Sequence, residues 1–132
     1  MNNLPTELLV LAYAALLQYV QFLLMAVPLN LQLGTKYTGG NRDESIEPTG
    51  IGGRLYRALN NHYEGLALFT IAVVVVVLGD ASTELTRNAA WAYLIARILY
   101  VPAYASGVPY LRSLIWAVGF AATLIMLIDA VF

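Results

Sequence analysis

Cysteine is absent from the 132 residues, and histidine occurs once, at His62. The first absence excludes disulfides, thiolate zinc sites and a thiol nucleophile carried by the chain itself. The second leaves little material for a metal centre, and no metal is expected. Charge is scarce as well. Seven basic and eight acidic residues make up 11% of the chain, against about 25% in ordinary soluble domains. With a net charge of −1 and no basic run or basic helix face, nucleic acid is not an expected partner. The opening residues, Met1-Asn2-Asn3-Leu4-Pro5-Thr6-Glu7, lack the basic region of a secretory signal. The apolar stretch behind them is too long for a signal core, so a retained span is expected.

What the chain has instead is apolar side chain, 60% of all residues. A soluble domain this small keeps a large fraction of its surface in water, and so few charges cannot cover it. The composition is that of an integral membrane protein.

The apolar residues fall into four stretches, each near the 20 or so residues a span needs. Leu8 to Thr35 runs 28 residues without a formal charge, with Gln18 and Gln21 as interhelical hydrogen-bonders and Pro28 near its far end. Gly34 to Gly53 is glycine-rich and charged, and reads as a loop. The next stretch ends in Ala72-Val73-Val74-Val75-Val76-Val77-Leu78. A lone strand in lipid leaves its backbone unsatisfied, so this run is expected to be helical. Asp80 to Arg87 and Ser106 to Pro109 are turns. One all-α, four-span domain over 1–132 follows, with spans at about 5–33, 54–79, 86–105 and 110–131.

Lys36, Arg42, Arg54, Arg57 and Arg112 fall on one side of that topology and Arg87 on the other. The positive-inside tendency then places both termini outside the cytoplasm. Asp43, Glu44 and Glu47 do not weigh against this, since the rule concerns positive charge. Trp91, Trp116, Tyr37 and Tyr110, near expected helix ends, read as interfacial aromatics. Lack of cysteine and this topology suit a bacterial inner membrane.

Two polar stripes interrupt the apolar helices. Arg54, Arg57, Asn61 and Glu64 are spaced 3, 4 and 3, and fall within roughly 80° at 100° per residue. Tyr93, Arg97, Tyr100 and Tyr104 repeat the pattern at 4, 3 and 4. A charge near the bilayer centre costs at least about 2.5–3.5 kcal/mol on insertion scales, so these stripes face each other, another subunit or a watery cavity. Two readings remain open. Arg57 or Arg97 pairs with Glu64 as packing glue, or the surplus of guanidiniums over that single acid binds an anionic ligand with several carboxylates. His62 reads as a packing residue rather than a base.

The segment Arg54-Leu55-Tyr56-Arg57-Ala58-Leu59-Asn60-Asn61-His62-Tyr63-Glu64 resembles the second-helix signature of the MAPEG family, membrane-associated proteins in eicosanoid and glutathione metabolism. That signature is Arg-x-x-Arg-Ala-x-x-Asn-x-x-Glu, and all its fixed positions match. Ala96-Arg97-Ile98-Leu99-Tyr100-Val101-Pro102-Ala103-Tyr104-Ala105 is similar to the third helix of the family's leukotriene-forming and microsomal glutathione-transferring members. The resemblance implies a homotrimer of four-helix subunits that binds glutathione as co-substrate between subunits. By position, Arg57, Asn61 and Glu64 contact the tripeptide, Glu64 taking its ammonium. Tyr100 and Tyr104 of the neighbouring subunit close the site, and Arg54 and Arg97 line or support it.

The chemistry implied is thiolate generation for attack on a lipophilic electrophile, a transferase or peroxidase reaction. Arg112 is the catalytic candidate, one position later than its counterpart in the leukotriene-forming relatives, where Leu111 stands here. The turn at Pro109 can absorb that offset. As a basic residue at a helix start, Arg112 also fits a cytoplasmic topology anchor. Gly65 after the glutamate, and Asn30-Leu31-Gln32 where eicosanoid-forming relatives carry a basic residue, depart from that branch. Two alternatives stay open: a non-catalytic lipid-binding or scaffold member of the same fold, and a small multidrug exporter. The second lacks the membrane glutamate expected in its first span.

Overall fold

A computed structural model describes residues 4–34, 49–108 and 110–132 of the chain. Lys36, Tyr37, Arg42, Asp43, Glu44, Glu47 and Pro109, named above, lie outside the described residues.

The described chain is helical throughout, with α1 at Thr6–Leu33, α2 at Gly50–Leu78, α3 at Glu84–Ser106 and α4 at Leu111–Val131. The valine run lies wholly inside α2, as helix formation in lipid requires. Helix α2 starts at Gly50 rather than Arg54. Glycine reads as a breaker in sequence, yet Gly52 and Gly53 are buried in the first turn of α2, where the lack of a side chain permits close packing. Helix α1 continues past Pro28 to Leu33. Gln21 is buried and neither amide atom finds a hydrogen-bond partner among the described residues, so the interhelical hydrogen bond expected of it is not formed there.

Three of the helices, α1, α2 and α4, are long and apolar enough to cross a membrane on composition alone. Helix α3 has the length, 23 residues, and differs because its polar side chains turn inward: Tyr93, Arg97 and Tyr100 are each 2% exposed. The packing partners explain how. Helix α1 packs on α2 and α3, α4 packs on the same two, and α2 meets α3 across the centre. The two polar stripes therefore oppose each other inside one subunit.

The bundle is divided along its length. Val10 and Ala14 of α1, Phe69, Ala72, Val73 and Val76 of α2, Ala90 and Tyr93 of α3, and Met126 of α4 form the apolar core at the end that carries the termini. Phe69 and Tyr93 stack at its heart, centroids 4.0 Å apart and 8° from parallel. Outside this core a knot of hydrogen bonds closes the same end. Glu7 of α1, fully buried, accepts from Ser82 and from Thr86, each at 2.7 Å. Thr83 donates to Asp129 of α4 at 2.7 Å, and Thr83 and Thr86 together form the capping box that starts α3. Asp129, two residues before the end of α4, is thus a partner in this knot. The other half of the bundle holds the polar stripes.

Candidate functional site

The opposed stripes of α2 and α3 resolve into two levels. At the level nearest the α3–α4 turn, Arg57 Nε donates to the Tyr104 hydroxyl at 3.2 Å. Arg112, on the first turn of α4, lies over the same ring, its guanidinium carbon 4.7 Å from the centroid. Arg54 Nη1 donates to the Ala105 carbonyl at 3.2 Å, one of the last carbonyls of α3 and otherwise an orphan acceptor. These three guanidiniums, with Tyr104, Gly107 and Val108, line an open cleft of about 270 Å³. Gly107 ends α3 in the left-handed conformation, φ 74°. A β-carbon there would lie 3.0 Å from the Arg54 guanidinium carbon, so both backbone and space call for glycine.

One level deeper, Arg97 is enclosed. Its Nε donates to His62 Nδ1 at 3.3 Å and its Nη1 to Asn61 Oδ1 at 3.0 Å. Its planar face lies 4.4 Å from the Tyr100 centroid, a cation–π contact in a desolvated setting. His62 is 0% exposed, and its Nε2 donates to the Ala14 carbonyl of α1 at 3.1 Å. With Nδ1 accepting from a guanidinium, the proton belongs on Nε2. Held at both nitrogens, His62 is a packing residue and not a free base. Tyr100 joins the levels: its ring covers Arg97, its edge meets Tyr104 with centroids 5.6 Å apart, and its hydroxyl is within reach of Arg112.

The sequence-derived residues thus divide into groups. Arg54, Arg57, Tyr104 and Arg112 converge on the cleft, while Asn61, Arg97 and Tyr100 pack beneath it. Glu64 is exposed on α2 and belongs to neither level. The packing-glue pairs with Glu64 are not what these arginines form, since Arg57 bonds Tyr104 and Arg97 bonds His62 and Asn61. Gly107 and Val108 escaped sequence reading; a helix-ending glycine three residues after Tyr104 was the available signal. Trp116 stacks on Phe120 at 5.0 Å between centroids and lines a crevice between helices.

Chemically, the cleft offers three guanidiniums around one phenol, with no carboxylate in its lining among the described residues. Guanidinium forks are matched to carboxylates and bind them through paired, charge-assisted hydrogen bonds. They also lower the proton affinity of a thiol beside them. Such an arrangement is chemically suited to an anion.

The model of the MAPEG family matches residues 10–132. The chain belongs to the MAPEG family. No curated protein and no solved structure matches it. MAPEG membership covers essentially the whole described bundle, and the polar half of that bundle carries the family-like second-helix motif. It also sets the exporter reading aside. In this MAPEG chain the arginine cleft opens at the α3–α4 turn, where the start of α2, the end of α3 and the first turn of α4 converge.

Proposed function

We propose that this MAPEG protein binds glutathione at the arginine cleft and is a membrane glutathione transferase that supplies the thiolate to a lipophilic electrophile. The observation that carries the reading is the convergence of Arg54, Arg57 and Arg112 on Tyr104. Glutathione has two carboxylates, one ammonium and one thiol. Arg54 and Arg57 suit the carboxylates, and Arg112, on the first turn of α4, suits the sulfur. The exposed Glu64 is free to meet the ammonium. A free thiol titrates near about 8.5 and is mostly protonated at neutral pH, and a neighbouring guanidinium shifts it toward thiolate.

The same reading takes the working form as a homotrimer. Glu64 is exposed halfway along α2, where a lipid-facing carboxylate would be costly. A second copy packed over that face removes the cost and completes the cleft. The catalytic member is favoured over a lipid-binding scaffold because a scaffold has no need of three cations converging on one small cleft.

The ultraviolet thiolate signal on adding glutathione to detergent-purified protein tests the proposal, wild type beside Arg112→Ala and Arg57→Ala. The expected result is a stoichiometric signal in the wild type. Arg112→Ala keeps binding by calorimetry but loses the signal, and Arg57→Ala loses binding. No signal and no heat in the wild type would move the protein to the lipid-binding class.

A further inference from the structure

The arginine cleft lies at a particular height in the bundle. Helix α2 has 29 residues and is about 43 Å long, whereas the hydrocarbon of a bilayer is about 30 Å thick. About the first four residues of α2 therefore stand in the headgroup layer. Arg54 is the fifth residue of α2 and Arg112 the second of α4. Arg57 lies about one turn further in, with a side chain long enough to reach back. The cleft these three line is level with lipid phosphates. Around it, Val108, Tyr110 and Leu111 at the α3–α4 turn and Ile51 at the start of α2 are exposed apolar or aromatic side chains, suited to the boundary between headgroup and acyl chain.

The charge of the cleft exceeds what glutathione can answer. Its guanidiniums carry three positive charges that no physiological pH removes, and no carboxylate lines it among the described residues. Glutathione, with two carboxylates and an ammonium, brings one net negative charge. Arg54 is anchored through one nitrogen to the Ala105 carbonyl and Arg57 through Nε to Tyr104, while each guanidinium has five N–H donors to offer. An empty cleft is thus a concentrated, uncompensated cation at the bilayer surface. Basic pockets between membrane helices at this level hold lipid phosphates. The space, about 270 Å³, accepts a phosphate with its glycerol, since one water needs roughly 10–15 Å³ by the same measure.

We infer that in the absence of glutathione the cleft holds the phosphodiester of an anionic phospholipid, with Arg54, Arg57 and Arg112 around its phosphate, and that glutathione binds by displacing it. The displacement rests on the glutathione reading above; the lipid site does not. A headgroup of the phosphatidylglycerol type brings a negative charge and no cation of its own, whereas a choline headgroup carries an ammonium into a ring of guanidiniums. Membrane composition then regulates the site, because anionic lipid raises the glutathione concentration needed to fill it.

Native mass spectrometry of the protein released from nanodiscs reads the lipid directly. From equimolar phosphatidylglycerol and phosphatidylcholine, the wild type is expected to retain phosphatidylglycerol and to lose it as glutathione is added. Arg57→Gln and Arg112→Gln should each lose this retention, while Arg87→Gln, at the other end of the bundle, keeps it. Calorimetry gives a second measure: a lipid that fills the cleft about nine times in ten makes glutathione bind about tenfold more weakly than in phosphatidylcholine discs. Inorganic phosphate added to phosphatidylcholine discs should compete poorly, because nothing holds it at the bilayer surface. Equal retention of the two lipids would overturn the assignment, as would equal loss in Arg87→Gln. Inorganic phosphate competing as well as phosphatidylglycerol would also overturn it and make the cleft a free-phosphate site. Phosphatidylglycerol retained with no glutathione heat in either disc would remove the glutathione reading alone. Glutathione bound equally in both discs, with no phosphatidylglycerol retained, would remove the lipid reading alone.

Discussion

At the scale of the residue, the buried cation and its imidazole neighbour are the most demanding feature. His62 fills the space between Arg97 and the α1 backbone and satisfies a polar atom on each side. Substituting His62→Leu keeps approximate volume but orphans Arg97 Nε. A buried orphan costs about 1–3 kcal/mol, so thermal unfolding in detergent should move down by several degrees; an unchanged midpoint would show that the pair is not linked in this way. Sequence reasoning gave His62 its packing role because one histidine on an apolar helix has few other uses. It grouped Arg97 with Arg57 because periodicity reports the face of a helix and not the depth. Arg97 lies seven residues before Tyr104 on α3, about 10 Å along the axis, and that interval separates the enclosed level from the open one.

At the scale of the element, helix ends carry the information that spans do not. The four helices were legible from runs of apolar residues, and the least apolar of them, α3, was legible through its stripe. The start of α2 was not, since Gly50-Ile51-Gly52-Gly53 has the composition of a loop, yet it is helical with Gly52 and Gly53 packed inward. Gly107 is the opposite case, a glycine whose conformation and vacancy both matter. Gly107→Ala should destabilise the protein by roughly 1–2 kcal/mol for the left-handed backbone. It should also displace Arg54 from the Ala105 carbonyl. Glutathione affinity measured by calorimetry is expected to fall along with the unfolding midpoint. If affinity held while stability fell, Arg54 would be a helix-capping residue alone.

At the scale of the whole molecule, the proposed trimer accounts for an acid that a lone subunit leaves exposed. An exposed glutamate lies midway along a membrane-spanning helix, and the arginine cleft beside it is open. Native mass spectrometry from detergent is expected to give three copies of the 14.4 kDa chain, about 43 kDa. A species of one copy at all protein concentrations would remove the subunit interface from the proposal. The proposed trimer is illegible in composition and periodicity, because a helix face that meets lipid and one that meets a twin differ by only a few side chains.

The knot of Glu7, Ser82, Thr83, Thr86 and Asp129 has a mechanical meaning beyond the stability it adds. It pins α1, the α2–α3 turn, α3 and α4 at one end of the bundle. At the other end the polar ties are short spans from α2 to the end of α3. Helices of this length reach about 30 Å from the pin, so an angular play of about 4° at the fulcrum moves the far tips by about 2 Å. Any such tilt about the pinned end would widen or narrow the arginine cleft, which lies between the tips.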